Sequence, residues 1–317
     1  MKKEYTLAQQ FAVAALDGLS CTHRSAAKNA AVRGIAAAAL LEKILPEEAG
    51  ETAEAERTET PEDFQRELEA VMTAVKKLKK KELDSVEKDM ANLLLADGGM
   101  EIVPDLLGCD MNYYTANITI KSYRSDREIY LSVTESVRGE ILEEGPVTLE
   151  CVCLLWLMRE SGCLHDIFSV KEQEQVQERM VALCAQSSRQ KLTDADCAAM
   201  IWRQEFHKTA EQAAKSFLGG KRKLFQNPYL EGINLRFPFL DRRQAIFVDF
   251  VVFGTNVKDR RRIMKEFLAE KGHRVEEVKN GAETLLLIDN AYYRVWPKTV
   301  SSGRIPIQGA NLVPVYR

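Results

Sequence analysis

Apolar residues recur at helical spacing along much of the chain. Leu7, Phe11 and Ala14 fall on one face of the first such segment. Thr6 is a suitable N-cap for this segment, and Gly18 is a suitable stop. The same periodicity predicts a helix that begins near residue 61 and further helices over residues 25–45, 147–161, 169–186 and 193–217.

The periodicity changes to alternation between residues 114 and 137. The alternating apolar residues are Ile118 and Ile120 before a polar Ser-Asp turn, and Ile129, Leu131 and Val133 after it. Alternation on both sides of a turn is typical of two paired strands with one buried face. We therefore expect a β-hairpin inserted at residues 114–137.

A second change of pattern follows the Gly219-Gly220 step. An apolar, β-rich run is predicted at residues 245–253 and a helix at residues 258–271. Three strand candidates follow, at residues 274–278, 284–288 and 292–296. The expected fold is mainly α, with a helical N-terminal bundle that carries the β-hairpin and a small α+β C-terminal module. The expected domains are residues 1–218 and 219–317.

Composition sets limits on function. The 44 basic and 47 acidic residues leave a formal charge of −3, which argues against the strongly cationic surface of a general nucleic-acid binder. Seven cysteines without repeated CxxC spacing suggest reduced, mostly buried thiols. Acidic and polar residues interrupt the apolar N-terminal segment, and the longest apolar run, residues 147–158, is too short to span a bilayer. We expect a cytoplasmic protein.

Residues with catalytic or ligating potential are scattered. None of the four histidines, His23, His165, His207 and His273, belongs to a pair with ligand spacing, so each is expected on the surface or in a turn. No metal site, cofactor or catalytic group is predicted. An enzyme of unrecognised type is a third possibility, which a pocket gathering several carboxylates or a Cys–His contact would favour.

Basic residues cluster in two parts of the chain. Five lysines between Lys76 and Lys81 are expected to form a solvated helix end, with an acidic protein partner or an anionic membrane surface as the alternative. In the C-terminal half, Arg242-Arg243 accompanies two candidate anion-binding clusters, which consist of Lys221, Arg222 and Lys223 and of Arg260, Arg261 and Arg262. If folding brings these clusters together, they favour RNA, DNA or anionic lipid as a partner.

The first two predicted helices carry a family resemblance. Tyr5-Thr-Leu-Ala and Ala14-Ala-Leu-Asp17 bound the first helix, while the second contains Val32-Arg-Gly34 and then Leu40-Leu-Glu42. These steps resemble the opening helices of the Golgi phosphoprotein 3 (GPP34) family, and the resemblance is confined to this region. It implies a helical fold and a peripheral, non-enzymatic association with membranes.

In eukaryotic members of that family the arginine of the second helix helps to bind the phosphate of phosphatidylinositol 4-phosphate. The resemblance therefore implies that Arg33 contacts an anion, a task that suits the forked guanidinium. The family's tryptophan, nine positions earlier, corresponds to Arg24 in this chain. This departure replaces an aromatic contact with a cation, which implies a general anionic site rather than phosphoinositide specificity.

The leading hypothesis is a cytosolic binding or adaptor protein that uses Arg33 and Arg24 to contact anionic ligands such as phospholipid headgroups, with peripheral membrane contact. The alternative is a nucleic-acid-associated accessory or regulatory protein that uses the C-terminal basic clusters.

Overall fold

A computed structural model of the chain describes residues 4–45, 60–110, 113–114, 116–186, 192–205, 242–243, 245–249, 257–279, 284–302 and 305–315. The helices of these segments are α1 (Leu7–Leu16), α2 (Ala26–Leu41), α3 (Pro61–Lys77), α4 (Lys80–Ala96), α5 (Arg127–Leu142), α6 (Leu149–Ser161), α7 (Leu164–Ile167), α8 (Val170–Ala185), α9 (Asp194–Trp202) and α10 (Val257–Glu270). The strands are β1 (Met100–Pro104), β2 (Lys121–Ser125), β3 (Ile246–Asp249), β4 (Val275–Lys279), β5 (Thr284–Ile288), β6 (Ala291–Ser302) and β7 (Ile305–Val315).

Helices α1 and α2 form the centre of the helical region. Thr6 caps α1 with its side chain, and Ser25 does the same for α2. A Cβ added at Gly34 of α2 would lie 2.5 Å from the Phe11 ring of α1, so only glycine allows the two helices to pack this closely. Helix α6 packs against both helices, and its Trp156 is fully buried. The predicted mainly α fold is confirmed.

Most predicted helices match observed ones to within a few residues. The segments predicted at 147–161 and 169–186 are α6 and α8. The helix predicted at 193–217 begins as α9, and its part beyond residue 205 lies outside the described residues. The lysine run does not all belong to one helix end, because Lys77 closes α3 whereas Lys80 is the first residue of α4.

The hairpin predicted at residues 114–137 is wrong. Its second arm belongs to α5, which begins after Asp126, whose side chain accepts hydrogen bonds from the backbone of the first turn. The buried face of α5 follows helical spacing rather than alternation and consists of Tyr130, Val133, Thr134, Val137 and Ile141. Strand β2 instead pairs antiparallel with β1, from Met100 opposite Ser125 to Pro104 opposite Lys121.

Within the described residues, the C-terminal module consists of an antiparallel sheet and helix α10, as the predicted α+β module requires. Its strand order is β3-β7-β6-β5-β4, and β4 to β7 follow one another as a meander. Met264 and Leu268 of α10 pack into the same hydrophobic cluster as Leu286 and Leu312 of the sheet. Strand β7 was not predicted, and β6 extends well beyond the predicted 292–296.

All seven cysteines are free thiols, and five of them are buried. Within the segments that the structure describes, no helix combines the length and the apolar content needed to cross a bilayer.

Candidate functional site

A groove of about 810 Å³ lies beside the N-terminal end of α2, along α4 and against the β1–β2 pair. We call it the outer groove. Its charged lining residues are Arg24, Lys28, Lys80, Asp84, Glu87 and Lys88. Basic residues outnumber acidic ones in this lining, so the groove is mildly cationic.

The floor of the outer groove holds a buried ion pair. The Lys28 ammonium lies 2.6 Å from a Glu87 carboxylate oxygen, and it also donates to the Ser20 carbonyl at 2.8 Å. The Tyr123 hydroxyl donates to the same Glu87 oxygen at 2.9 Å. Burial raises the pKa of the Tyr123 hydroxyl, and the charge of Glu87 adds to that effect. The positive charge of Lys28 is therefore neutralised within the fold.

The rim of the groove is more open. Arg24 forms an ion pair with Asp84 and donates to the Lys80 carbonyl at 2.9 Å. Lys80 and Lys88 are exposed, and neither forms an ion pair with any residue that the structure describes. The rim therefore presents two cations without an ion-pair partner among the described residues, Lys80 and Lys88, next to Arg24, whose charge is paired with Asp84.

Arg33 has a different surrounding from the one that the resemblance implies. Its guanidinium is half-buried and donates to the carbonyls of Val75 at 2.5 Å and Leu78 at 3.0 Å. These carbonyls lie at the C-terminal end of α3, where the last carbonyls of a helix have no partner within it. Arg33 and Arg24 thus both contact the connection between α3 and α4. Of the two, only Arg24 lines the outer groove. Contact between Arg33 and an anion stays a prediction.

A second cavity, of about 270 Å³, lies where the helical region meets the C-terminal sheet. We call it the inner cavity. It extends from the end of α1 and the β1–β2 pair to residues 242–243 and the β5–β6 strands. His23, Arg24 and Tyr123 line both the outer groove and the inner cavity, so the two are adjacent.

Two buried arginines and two buried aspartates join the two regions beside this cavity. Arg242 and Arg243 both pair with Asp166, at 2.9 and 3.4 Å, and Arg243 also pairs with Asp17 at 3.1 Å. Arg242 further donates to the Ala15 carbonyl at the end of α1, at 2.9 Å. Burial would raise the pKa of the Asp166 carboxyl, but the charges of Arg243 and Arg242 outweigh it, and the pKa is lowered. We call these four residues the ionic junction.

A histidine and an aspartate form a further pair at the inner cavity. His273 Nδ1 lies 2.8 Å from an oxygen of Asp289, whose other oxygen accepts from Arg124 at 2.8 Å. Burial tends to raise the pKa of the Asp289 carboxyl, but the hydrogen bond and charge of His273 overcome this tendency, and the pKa is lowered. Asp289 is therefore ionised and holds the imidazole ring in a fixed orientation.

The C-terminal basic clusters are placed as follows. Arg242 and Arg243 are buried in the ionic junction, so the expectation that this pair adds to a basic surface is wrong. Lys221, Arg222 and Lys223 lie outside the described residues, as does the side chain of Arg260. Arg261 and Arg262 belong to α10, where Arg262 pairs with Glu266 one turn later.

Sequence reasoning singled out Arg24, Arg242 and Arg243 but missed the other polar residues of the inner cavity. His273 is buried, whereas every histidine was expected on the surface or in a turn. Asp289, its partner, has a positive φ of 55° in the turn between β5 and β6, and an Asp-Asn step is a recognisable turn signal. No local pattern links His273 to Asp289, or Asp17 to Arg243, because these contacts form between distant parts of the chain.

Comparison of the chain with protein-family models, with curated proteins and with solved structures found no match. Across the part of the chain that the structure describes, no group of three or more histidine, cysteine or acidic side chains is placed to hold a metal ion.

Proposed function

We propose that this protein is a non-enzymatic binding protein for phosphate-bearing anionic ligands, which it holds at the rim of the outer groove. The observation that carries the proposal is the exposure of Lys80 and Lys88 beside Arg24, in a groove of about 810 Å³. Ammonium and guanidinium groups are the usual partners of phosphate oxygens.

The spacing of the cations limits the kind of ligand. Lys80 and Lys88 are eight positions apart on α4, which places them about 12 Å apart along the helix axis. This separation is larger than one phosphate group, so a single phosphate cannot lie next to both positions on the helix. The ligand that fits best carries more than one anionic group, either as a soluble phosphate compound or as neighbouring lipid headgroups at a membrane surface.

In this proposal Arg33 does not contact the ligand but holds the end of α3 in place. Its hydrogen bonds to the Val75 and Leu78 carbonyls fix the end of α3, and the chain turns directly from there into α4, which carries Lys80. The proposal therefore assigns Arg33 to positioning and Arg24, Lys80 and Lys88 to ligand contact.

The test compares two probes on purified full-length protein. Pyrophosphate is titrated by calorimetry, and cosedimentation is measured with vesicles of phosphatidylcholine that either contain or lack phosphatidylserine. The double variant Lys80→Glu with Lys88→Glu is expected to lose at least tenfold in affinity for whichever probe binds, which corresponds to about 1.4 kcal/mol. Binding of pyrophosphate alone indicates a soluble ligand, and binding of the charged vesicles alone indicates a membrane surface.

The matched control changes charge by the same amount elsewhere. Lys171→Glu with Lys258→Glu reverses two exposed lysines on α8 and α10, and it should leave binding unchanged because neither position lines the outer groove. Arg33→Gln should reduce stability but retain binding. Loss of binding in Arg33→Gln, together with full binding in the Lys80 and Lys88 variant, would reject the proposal in favour of direct contact by Arg33.

Nucleic-acid binding through the C-terminal clusters stays the alternative. Replacing Lys221, Arg222 and Lys223 with glutamine tests it in a mobility-shift assay. A large loss of oligonucleotide binding in this variant, with Lys80 and Lys88 intact, would favour the alternative.

A further inference from the structure

The inner cavity contains a histidine nitrogen without a hydrogen-bond partner. His273 is 5% exposed and lines the cavity, and its Nε2 is buried and has no partner. Its other nitrogen, Nδ1, is committed to Asp289 at 2.8 Å. Because Asp289 is an ionised acceptor, Nδ1 carries a proton, and Nε2 is left for a second hydrogen bond. The cavity therefore contains an oriented ring nitrogen with no partner among the described residues.

Two more polar groups with unused hydrogen-bonding capacity line the same cavity. One oxygen of Asp105 accepts from the Leu107 backbone at 2.9 Å, and the other has no hydrogen bond to a described residue. The Tyr293 hydroxyl likewise has no hydrogen bond within the described segments, although Tyr293 is only 5% exposed. Burial raises the pKa of the Asp105 carboxyl and raises that of Tyr293 to about 12. The hydroxyl can both donate and accept.

These three groups come from separate parts of the chain. Asp105 follows β1, His273 follows α10, and Tyr293 lies on β6. Buried polar atoms in folded proteins almost always have a partner, and leaving one unpaired destabilises the fold. His273 Nε2 is such an atom, and together with the two other polar groups at the wall it indicates that a polar occupant belongs in this space. The space of about 270 Å³ exceeds that of one water molecule, whose share of liquid volume is roughly 30 Å³.

The charges around the cavity indicate what kind of occupant fits. Its four arginines are already paired: Arg24 with Asp84, Arg124 with Asp289, Arg242 with Asp166, and Arg243 with Asp17 and Asp166. Little unmatched charge is left to attract an ion of either sign. The wall groups that lack a partner among the described residues are a ring nitrogen, a carboxyl oxygen and a hydroxyl, which together suit a ligand rich in hydroxyl groups, because a hydroxyl both donates and accepts.

We propose that the inner cavity is a binding site for a small neutral molecule that bears hydroxyl groups, of polyol or monosaccharide size, and that His273 Nε2 forms a hydrogen bond with one of its hydroxyls. Tyr293 and Asp105 contact further hydroxyls of the same molecule. The inner cavity adjoins the outer groove and shares Arg24 with it, but Asp105, His273 and Tyr293 do not line the groove, so the two proposals do not depend on each other.

The first experiment asks whether small molecules reach His273 in the folded full-length protein. Diethyl pyrocarbonate acylates an accessible, unprotonated imidazole nitrogen, and mass spectrometry of the digested protein identifies the modified histidine. We expect His273 to be modified in the native protein, as the exposed His23 is. Modification of His23 without His273 would show that the cavity is sealed and would overturn the proposal.

The second experiment asks what the site holds. Glycerol and glucose are titrated while the imidazole nitrogens are followed by ¹⁵N NMR, and His273 is assigned by elimination through His23→Gln, His165→Gln and His207→Gln. We expect a saturable shift of the His273 Nε2 resonance with at least one of the two probes. If neither probe shifts the resonance, the cavity holds water only, and the proposal fails.

Two tyrosine variants distinguish binding from a general effect on the fold. Tyr293→Phe removes one hydroxyl and keeps the buried ring, and it should weaken the response to the probe about five- to tenfold, as expected for one lost hydrogen bond. Tyr292→Phe is the matched control, because neighbouring residues of a strand point to opposite faces and Tyr292 does not line the inner cavity. Equal responses in both variants would contradict the proposed contact.

Discussion

Two pairs of arginines in this protein show how burial decides what an arginine does. At the corner between α3 and α4, Arg24 and Arg33 are partly exposed; Arg33 donates to backbone carbonyls, and Arg24 donates to the Lys80 carbonyl and pairs with the exposed carboxylate of Asp84. At the ionic junction, Arg242 and Arg243 have side chains that are 5% and 9% exposed, and their partners are carboxylates buried just as deeply. The corner arginines can be lost at modest cost, whereas those of the junction must keep their partners.

The largest effect is expected from breaking the ionic junction. Asp166→Asn removes the carboxylate that Arg242 and Arg243 share, and it leaves buried positive charge without compensation. We expect a loss of about 3–5 kcal/mol in the free energy of unfolding, measured by chemical denaturation. Glu266→Gln, at the exposed pair with Arg262, is the control and should change stability by less than about 0.5 kcal/mol. A loss of stability in Asp166→Asn as small as that in the control would contradict the view that the buried arginines need their carboxylate partners.

The same carboxylate makes the protein sensitive to acid. The folded-state pKa of Asp166 lies below its ordinary value of 3.8, so its stabilisation is complete above that pH and disappears as the pH falls through the lowered value. Asp166→Asn should therefore flatten the decline of stability in acid. Some acid sensitivity should remain from Glu172, because hydrogen bonds from Arg138 lower the pKa of that carboxyl to about 2.

A smaller effect is expected next to Arg33. Gly34→Ala places a methyl group against the buried Phe11 ring, which has no space to move, and it should cost about 1–3 kcal/mol. Gly139→Ala is the control, because a Cβ at Gly139 of α5 meets nothing within 4 Å. This control should be neutral or stabilising, since alanine favours the helix. Thermal denaturation of both variants measures the difference, and equal destabilisation would show that the contact with Phe11 does not matter.

The smallest effect on stability is expected at the groove rim. Asp84→Asn removes the partner of Arg24, but the Asp84 side chain is 52% exposed, so we expect a change of less than about 1 kcal/mol. Binding should respond in the opposite direction, because Arg24 then has its full charge available for an anion. Vesicle cosedimentation or pyrophosphate titration should show tighter binding, and weaker binding would contradict the role given to Arg24.

Local signals explain which parts of the fold the sequence could predict. Thr6, Ser25, Thr148 and Ser169 all cap helices that had been predicted close to their observed limits. The predicted hairpin failed because Ile129, Leu131 and Val133 also fit a helix, and the cap at Asp126 together with burial of Tyr130 and Val137 decided for the helix. Over so short a segment, the spacing of apolar residues alone does not distinguish a strand from a helix.

The candidate sites were less predictable, because their contacts join distant positions. Arg24 was predicted as a ligand contact and does line a groove. Lys80 was noted only as part of the lysine run that was expected to form a solvated helix end, and Lys88 was not singled out. Arg242 and Arg243 were expected to be exposed, since nothing near them in the chain shows that Asp17 and Asp166 would neutralise them. The partners of a buried charge depend on the tertiary fold rather than on neighbouring residues.

The carboxylate of Asp17 has a consequence for how the protein is made. It accepts from the Ser125 backbone and from the Asn290 side chain, and it pairs with Arg243. A ribosome delivers Asp17 long before Arg243 and Asn290, so the end of the first helix emerges with an acidic group whose final partners do not yet exist. Native docking at this point must wait until Asn290 has been translated, and until then water has to solvate that carboxylate.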